Sequence, residues 1–220
     1  MQQLQPYKKS LIFALDTPDL IQAKLWATKF KNYVWGYKLG LEFFTANGPD
    51  GVKHIQELGK PIFLDLKLHD IPNTVGKTIA NINKLGVEMT TLHITGSSDM
   101  LKAAVDNNDK TLLLGVSVLT SMDSNNLEQI GIQLMPLLYV EHLSKIALKS
   151  GIGGVVCSPK EVGPLKQQFG KKLKYITPGV RFTDNSTGDQ KRVSTPEQAI
   201  LSGSDYLVMG RGLLEKYSPI

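Results

Sequence analysis

Cysteine is almost absent: Cys157 is the only one in 220 residues. A single thiol excludes an internal disulfide and any cysteine-rich metal site. The four histidines, His54, His69, His93 and His142, show no ligand-pair spacing, so no metal site is expected. No apolar run approaches the roughly 18 residues of a membrane span. The short run Leu11–Leu15 ends in Asp16, not in a small-residue cleavage site. No signal peptide and no membrane partner are therefore expected, and the cytoplasm is the expected location. Low-complexity tracts and linkers are also missing, which leaves one domain over residues 1–220 as the expectation.

What is present is an ordinary globular composition. The chain is 41% hydrophobic and 20% charged, and long enough to bury a sizeable core. Its net charge of +5 suits either a mildly basic surface or an anionic ligand. The lysines are scattered, apart from Lys171-Lys172-Leu173-Lys174, which reads as a solvated turn. Without a basic stripe or a recognition motif, nucleic acid is not an expected partner.

Apolar, β-branched-rich runs recur at Leu11–Leu15, Val34–Leu39, Pro61–Leu66, Thr90–Ile94, Thr111–Leu119, Gly153–Cys157, Tyr175–Ile176 and Tyr206–Met209. The segments between them carry helical signals. The stretch from Asp19 to Ala27 has apolar residues at spacings of three and four, as does Thr74–Leu85, and Gly86 fits a helix end. Thr195-Pro196-Glu197-Gln198 reads as an N-cap, a first-turn proline and a capping-box glutamine, with Gly203 as the stop. Eight alternations of strand and helix predict an α/β fold, a compact (β/α)8 TIM barrel. A doubly wound open sheet is the alternative, but no Gly-x-Gly-x-x-Gly follows an early strand. After Gly210-Arg211-Gly212 only residues 213–220 remain, so the final helix is expected to be short. Either the terminus is trimmed or the helical coat is left open there.

The most informative stretch is Ile62-Phe63-Leu64-Asp65-Leu66-Lys67-Leu68-His69-Asp70-Ile71-Pro72-Asn73-Thr74. Strand alternation points Asp65 and Lys67 the same way, and Asp70 follows where Pro72 stops a regular strand. Two carboxylates and an ammonium thus gather at one strand end. Other predicted strands also end in polar residues: Asp16, Lys38 beside Gly40, His93, Thr120, Arg181 after Pro178-Gly179, and Gly210-Arg211. In barrels, the C-terminal strand ends carry the chemistry.

At these residues the sequence resembles the orotidine 5′-phosphate decarboxylase family. The signature is Asp65-Leu66-Lys67-Leu68-His69-Asp70-Ile71-Pro72-Asn73-Thr74. Supporting blocks are Ala14-Leu15-Asp16, Tyr37-Lys38-Leu39-Gly40, Val118-Leu119-Thr120-Ser121, Thr177-Pro178-Gly179-Val180-Arg181, Gly188-Asp189-Gln190-Lys191-Arg192 and Met209-Gly210-Arg211. The resemblance covers essentially the whole chain.

The resemblance implies conversion of orotidine 5′-phosphate to uridine 5′-phosphate and carbon dioxide in de novo pyrimidine biosynthesis, without metal or organic cofactor. It implies catalytic roles for Lys67 as proton donor, Asp65 near the departing carboxylate, and Lys38. Asp70 from the partner subunit of a homodimer would hold Lys67, with Ile71 and Thr74 reaching across beside it. Asp16 and Lys38 would bind the ribose region, and Thr120 the pyrimidine edge. Arg211, with the Gly210 N–H, would clamp the phosphate; Arg181 supports it and Pro178 belongs to the same substrate-binding set. Residues 182–195 would form a lid, with Gln190 bridging phosphate and base.

Two other readings stand beside this one. One is a metal-dependent sugar-phosphate decarboxylase or aldolase of the same superfamily. The other is a non-catalytic nucleotide-binding barrel. His54 and His142 are expected at the surface. His69 is expected to be structural, facing away from Asp65 and Lys67 by alternation. His93 is given no chemistry, and Cys157 reads as a small buried strand residue.

Overall fold

The protein is described by a computed structural model over residues 1–182 and 194–217. Eight strands close into one barrel in chain order, each parallel to its neighbours. They are β1 (Leu11–Ala14), β2 (Gly36–Gly40), β3 (Ile62–Leu68), β4 (Met89–His93), β5 (Leu112–Val116), β6 (Gly154–Val156), β7 (Lys174–Thr177) and β8 (Tyr206–Met209). The helices are α1 (Leu20–Phe30), α2 (Leu41–Gln56), α3 (Pro72–Leu85), α4 (Ser98–Asp106), α5 (Ser124–Gln129), α6 (Pro136–Lys149), α7 (Pro159–Phe169), α8 (Pro196–Ser202) and α9 (Arg211–Tyr217). This is the expected (β/α)8 TIM barrel, with α5 as an extra short helix in the connection after β5.

Local chemistry sets the helix limits. The Asp19 carboxylate accepts the N–H groups of Ile21 and Gln22 and so starts α1. Thr195 and Gln198 cap α8 reciprocally, and Gly203 ends it with φ 102°. The final helix, α9, is short as expected, at seven residues.

Strand alternation divides the core in two. Ile12, Ala14, Phe63, Met89, Leu114, Ile176 and Val208 fill the barrel interior. Their neighbours Leu11, Phe13, Leu64, Leu92 and Tyr175 are buried in the layer shared with the helices. Trp35 and Tyr206, with ring centroids 4.8 Å apart, close the N-terminal end. The opposite, C-terminal end is left to polar side chains. The fifth strand is shorter than the predicted run 111–119: it ends at Val116, and the Ser117 N–H and hydroxyl both donate to the Val156 carbonyl.

Candidate active site

The alternation that sends Ala14 and Phe63 inward carries the next residues of the same phase, Asp16 and Asp65, to the barrel mouth. Lys38 on β2 stands between them. Its Nζ lies 3.0 Å from Asp16 Oδ1 and 3.6 Å from Asp65 Oδ2, while Lys67 Nζ lies 2.8 Å from that same Asp65 oxygen. The result is an unbroken row of alternating sign: Asp16, Lys38, Asp65, Lys67. Paired in this way, charges that would be prohibitive singly persist under partial burial.

The third strand is not regular where it supplies this row. Leu64 pairs with Thr90, but the next pair is Leu68 with Leu92, so β3 carries two extra residues across the interval. Lys67 sits in this bulge at φ 50°, a left-handed conformation unusual for a residue with a side chain. Asp65 and Lys67 do meet, as alternation predicted, but through a bulge. Gly40 borders the same row. A Cβ there would lie 3.0 Å from Lys38 Nζ and 3.6 Å from Asp16 Oδ1.

Burial alone would raise the Asp65 carboxyl. Lys38, Lys67 and the Thr91 hydroxyl instead hold it below the usual carboxylate range. Burial alone would likewise favour neutral Lys38, but Asp65 and Asp16 raise its pKa above the ordinary lysine value. Both carboxylates are thus engaged by ammonium groups, a donor set poorly suited to a divalent cation. Among the described residues, no three His, Cys, Asp or Glu side chains gather as a metal site would need.

These residues line a cavity of about 270 Å³. Arg181 follows β7, four strands around the barrel from β3, and Arg211 follows β8; both line the same cavity, as do Thr120, Pro178 and Gly210. Arg181 Nε is buried and has no acceptor among the described residues. Phe63, Val116, Val156 and Val208 give the same cavity an apolar lining. The site therefore offers a row of alternating charge, two arginines and an apolar lining in one cavity, with Arg211 next to the Asp16 end of the row because β8 pairs with β1.

The sequence model of the Orotidine 5′-phosphate decarboxylase / HUMPS family matches residues 9–220. The chain belongs to that family. It is 48% identical over 211 residues to an orotidine 5′-phosphate decarboxylase of Wolbachia pipientis subsp. Culex pipiens, covering 95% of this chain and 93% of the relative. It is 47% identical over 212 residues to that of Ehrlichia canis, covering 96% and 92%. Among solved structures, the orotidine 5′-phosphate decarboxylase of Lactobacillus acidophilus is similar, with a TM-score of 0.83, 34% identity, and coverage of 96% of this chain and 94% of that one.

For this family member the structure brings Asp16, Lys38, Asp65, Lys67, Thr120, Pro178, Arg181, Gly210 and Arg211 to one cavity. It does not bring Asp70, Ile71 or Thr74 there. All three are exposed, Ile71 at 65%, and Asp70 Oδ1 accepts the Ile71 N–H at 2.7 Å. Gln190 and most of the predicted lid lie outside the described residues. His54 and His142 are exposed as expected. His69 is exposed beyond the end of β3, its ring 5.5 Å from that of His93. Cys157 is buried, one residue past β6, and lines the cavity.

Thr91 is the site residue that sequence reasoning missed. It is fully buried on β4, donates to Asp65 Oδ1 at 2.8 Å and accepts the Lys67 N–H at 2.9 Å. A usable signal existed: Thr91 has the same strand phase as His93, which ends β4. Its β-branched side chain was instead absorbed into the strand pattern.

Proposed function

We propose that this chain, acting as one domain over residues 1–220, decarboxylates orotidine 5′-phosphate to uridine 5′-phosphate in de novo pyrimidine biosynthesis. The observation that carries the reading is the Asp16–Lys38–Asp65–Lys67 row sharing a single cavity with Arg181 and Arg211. The arginines suit a phosphate dianion, and the buried Arg181 Nε, which has no acceptor among the described residues, is a donor that such a group can engage. Thr120, Pro178 and the apolar wall suit a flat base. Asp16 and Lys38 are assigned to the ribose hydroxyls and Gly210 to the phosphate, with Gln190 assigned to the lid, all by resemblance.

In the reaction the bond between the ring carbon and its carboxylate breaks. Carbon dioxide leaves, and the electron pair stays on the ring carbon. Lys67 supplies the countercharge and then the proton: its N–H bond breaks as the new C–H bond forms, and the amine is reprotonated from solvent. Asp65, already ionised, is unfavourable beside the substrate carboxylate and less so as that charge moves into the ring. No step requires a metal or organic cofactor.

Asp70, Ile71 and Thr74 are assigned to the partner subunit of a homodimer. Their exposure at the mouth-side end of β3 suits that role, and Asp70 from a partner would extend the alternating row beyond Lys67. A cytoplasmic location fits a small nucleotide substrate, and no helix among the described residues is long and apolar enough to cross a membrane.

The test is the loss of orotidine 5′-phosphate absorbance with purified protein and EDTA, with uridine 5′-phosphate identified as product. Turnover under chelation supports the reading. Turnover restricted to a sugar phosphate with magnesium, or nucleotide binding without turnover, contradicts it.

A further inference from the structure

The bulge in β3 poses a problem of its own. Two extra residues between Leu64 and Leu68 interrupt the ladder with β4, and Lys67 is held at φ 50°. Its N–H is left without the regular strand partner, in a part of the barrel where an unmet donor is costly. That donor is met by a side chain, Thr91 Oγ1, at 2.9 Å.

The same hydroxyl has one proton to give, and it gives it to Asp65 Oδ1 at 2.8 Å. With Oδ1 so engaged, the carboxylate plane is fixed and Oδ2 is turned to Lys67 at 2.8 Å and Lys38 at 3.6 Å. One buried hydroxyl thus ties together the backbone of one charged residue and the side chain of the other. The neighbouring Thr90 makes a contrast: its hydroxyl donates to the Leu64 carbonyl at 2.9 Å and touches neither charge.

We propose that Thr91 is a positioning residue that fixes the Asp65 carboxylate and the Lys67 backbone in one register, so that the Lys67 ammonium stays aimed at the reacting carbon. This rests on the decarboxylase reading given above. Thr91 acts through its two neighbours and is absent from the cavity wall. It should therefore govern the chemical step rather than nucleotide affinity, because a displaced ammonium binds the ground state nearly as well while serving the transition state worse.

The experiment compares Thr91→Val, Thr91→Ser and Thr90→Val for steady-state decarboxylation and for binding of uridine 5′-phosphate by calorimetry. Valine keeps the shape and removes both hydrogen bonds; serine keeps both. Thr91→Val should lower kcat about 10- to 100-fold, the scale of a hydrogen bond to a charged group, with KM and product affinity changed less than about threefold. Thr91→Ser should recover most of the rate, and Thr90→Val should leave kcat near wild type. If Thr91→Val yields no folded protein, Thr91→Ala is read by the same split. A kcat within about twofold of wild type, a loss confined to KM, or a serine variant as impaired as the valine one overturns the proposal. A wild-type chain without turnover would defeat the parent reading and this one with it. An active wild type with an unaffected Thr91→Val defeats this one alone.

Discussion

Lys38 Nζ sits 3.0 Å from Asp16 Oδ1, and a Cβ at position 40 would come within 3.0 Å of it. The ammonium is largely enclosed and is shared with Asp65 on the next strand. Removing it leaves Asp65 buried with one partner fewer. Lys38→Ala should cost about 3 kcal/mol of stability, the low end for breaking a buried pair. For a chain of this size that is a fall of roughly 6–12 °C in Tm. A Tm within about 2 °C of wild type, by calorimetry, would contradict the electrostatic role given to Lys38.

Gly40→Ala separates site geometry from fold. The backbone there has φ −93° and ψ −172°, which alanine adopts freely, so helix α2 should still form. The added methyl instead crowds Lys38 Nζ at 3.0 Å. Decarboxylation should fall about tenfold or more while Tm changes by less than about 3 °C, since a displacement of under an ångström at a reacting group is enough. Unchanged kcat/KM would show that the Lys38 position is not critical.

Arg211→Ala should weaken phosphate recognition and little else. Loss of a charge-assisted contact of about 1.5–3 kcal/mol corresponds to roughly a 10- to 150-fold weaker affinity for uridine 5′-phosphate. Uridine, which lacks the phosphate, should bind wild type and variant alike. Equal losses for both ligands would place Arg211 elsewhere in recognition.

Acid should destabilise the fold through His93. Burial, then the adjacent His69 ring and Lys67, hold its imidazole below the ordinary 6.5, against a pull from Asp65. Well above that value the group is neutral both folded and unfolded. As the pH falls through about 6.5 the unfolded chain takes up the proton first, so stability declines toward the folded pKa. Asp65 contributes nothing in this window. Its depressed pKa gives stability that is present above the ordinary 3.8 and lost only below it. Between about pH 7.5 and 5.5 the wild-type Tm should therefore fall more than that of His93→Gln. Parallel declines would remove His93 from the account.

The shared-site reading predicts subunit complementation. Lys67→Ala and Asp70→Ala chains should each be inactive alone. After mixing and exchange, half the dimers are hybrids and one of the two sites in each is intact, so activity should return to about a quarter of wild type. No recovery despite demonstrated exchange would place Asp70 outside the partner's site.

Much of this molecule was legible as sequence because barrel chemistry follows strand periodicity. The predicted run Tyr206–Met209 coincides with β8, and Thr195, Pro196, Gln198 and Gly203 mark the limits of α8 as their chemistry requires. The polar residues that ended the predicted strands at Asp16, Lys38, Thr120, Arg181 and Arg211 converge on one cavity. What stayed hidden depended on contacts between distant segments. The bulge at Lys67 follows from a register change against β4, which no pattern within residues 62–68 announces. Thr91 reads as a strand former because its hydroxyl gains meaning only opposite Asp65. The end of β5 was overrun because Val118 and Leu119 continue the apolar run, although the strand stops at Val116.

The central claim is that Lys67, held 2.8 Å from Asp65, delivers the proton to the carbon that loses carbon dioxide. The direct measurement is turnover of orotidine 5′-phosphate by Lys67→Ala, with uridine 5′-phosphate binding measured on the same preparation. The account predicts that decarboxylation disappears while the nucleotide still binds within about tenfold of wild type, because Arg181 and Arg211 are untouched. Near-normal turnover by that variant would contradict it.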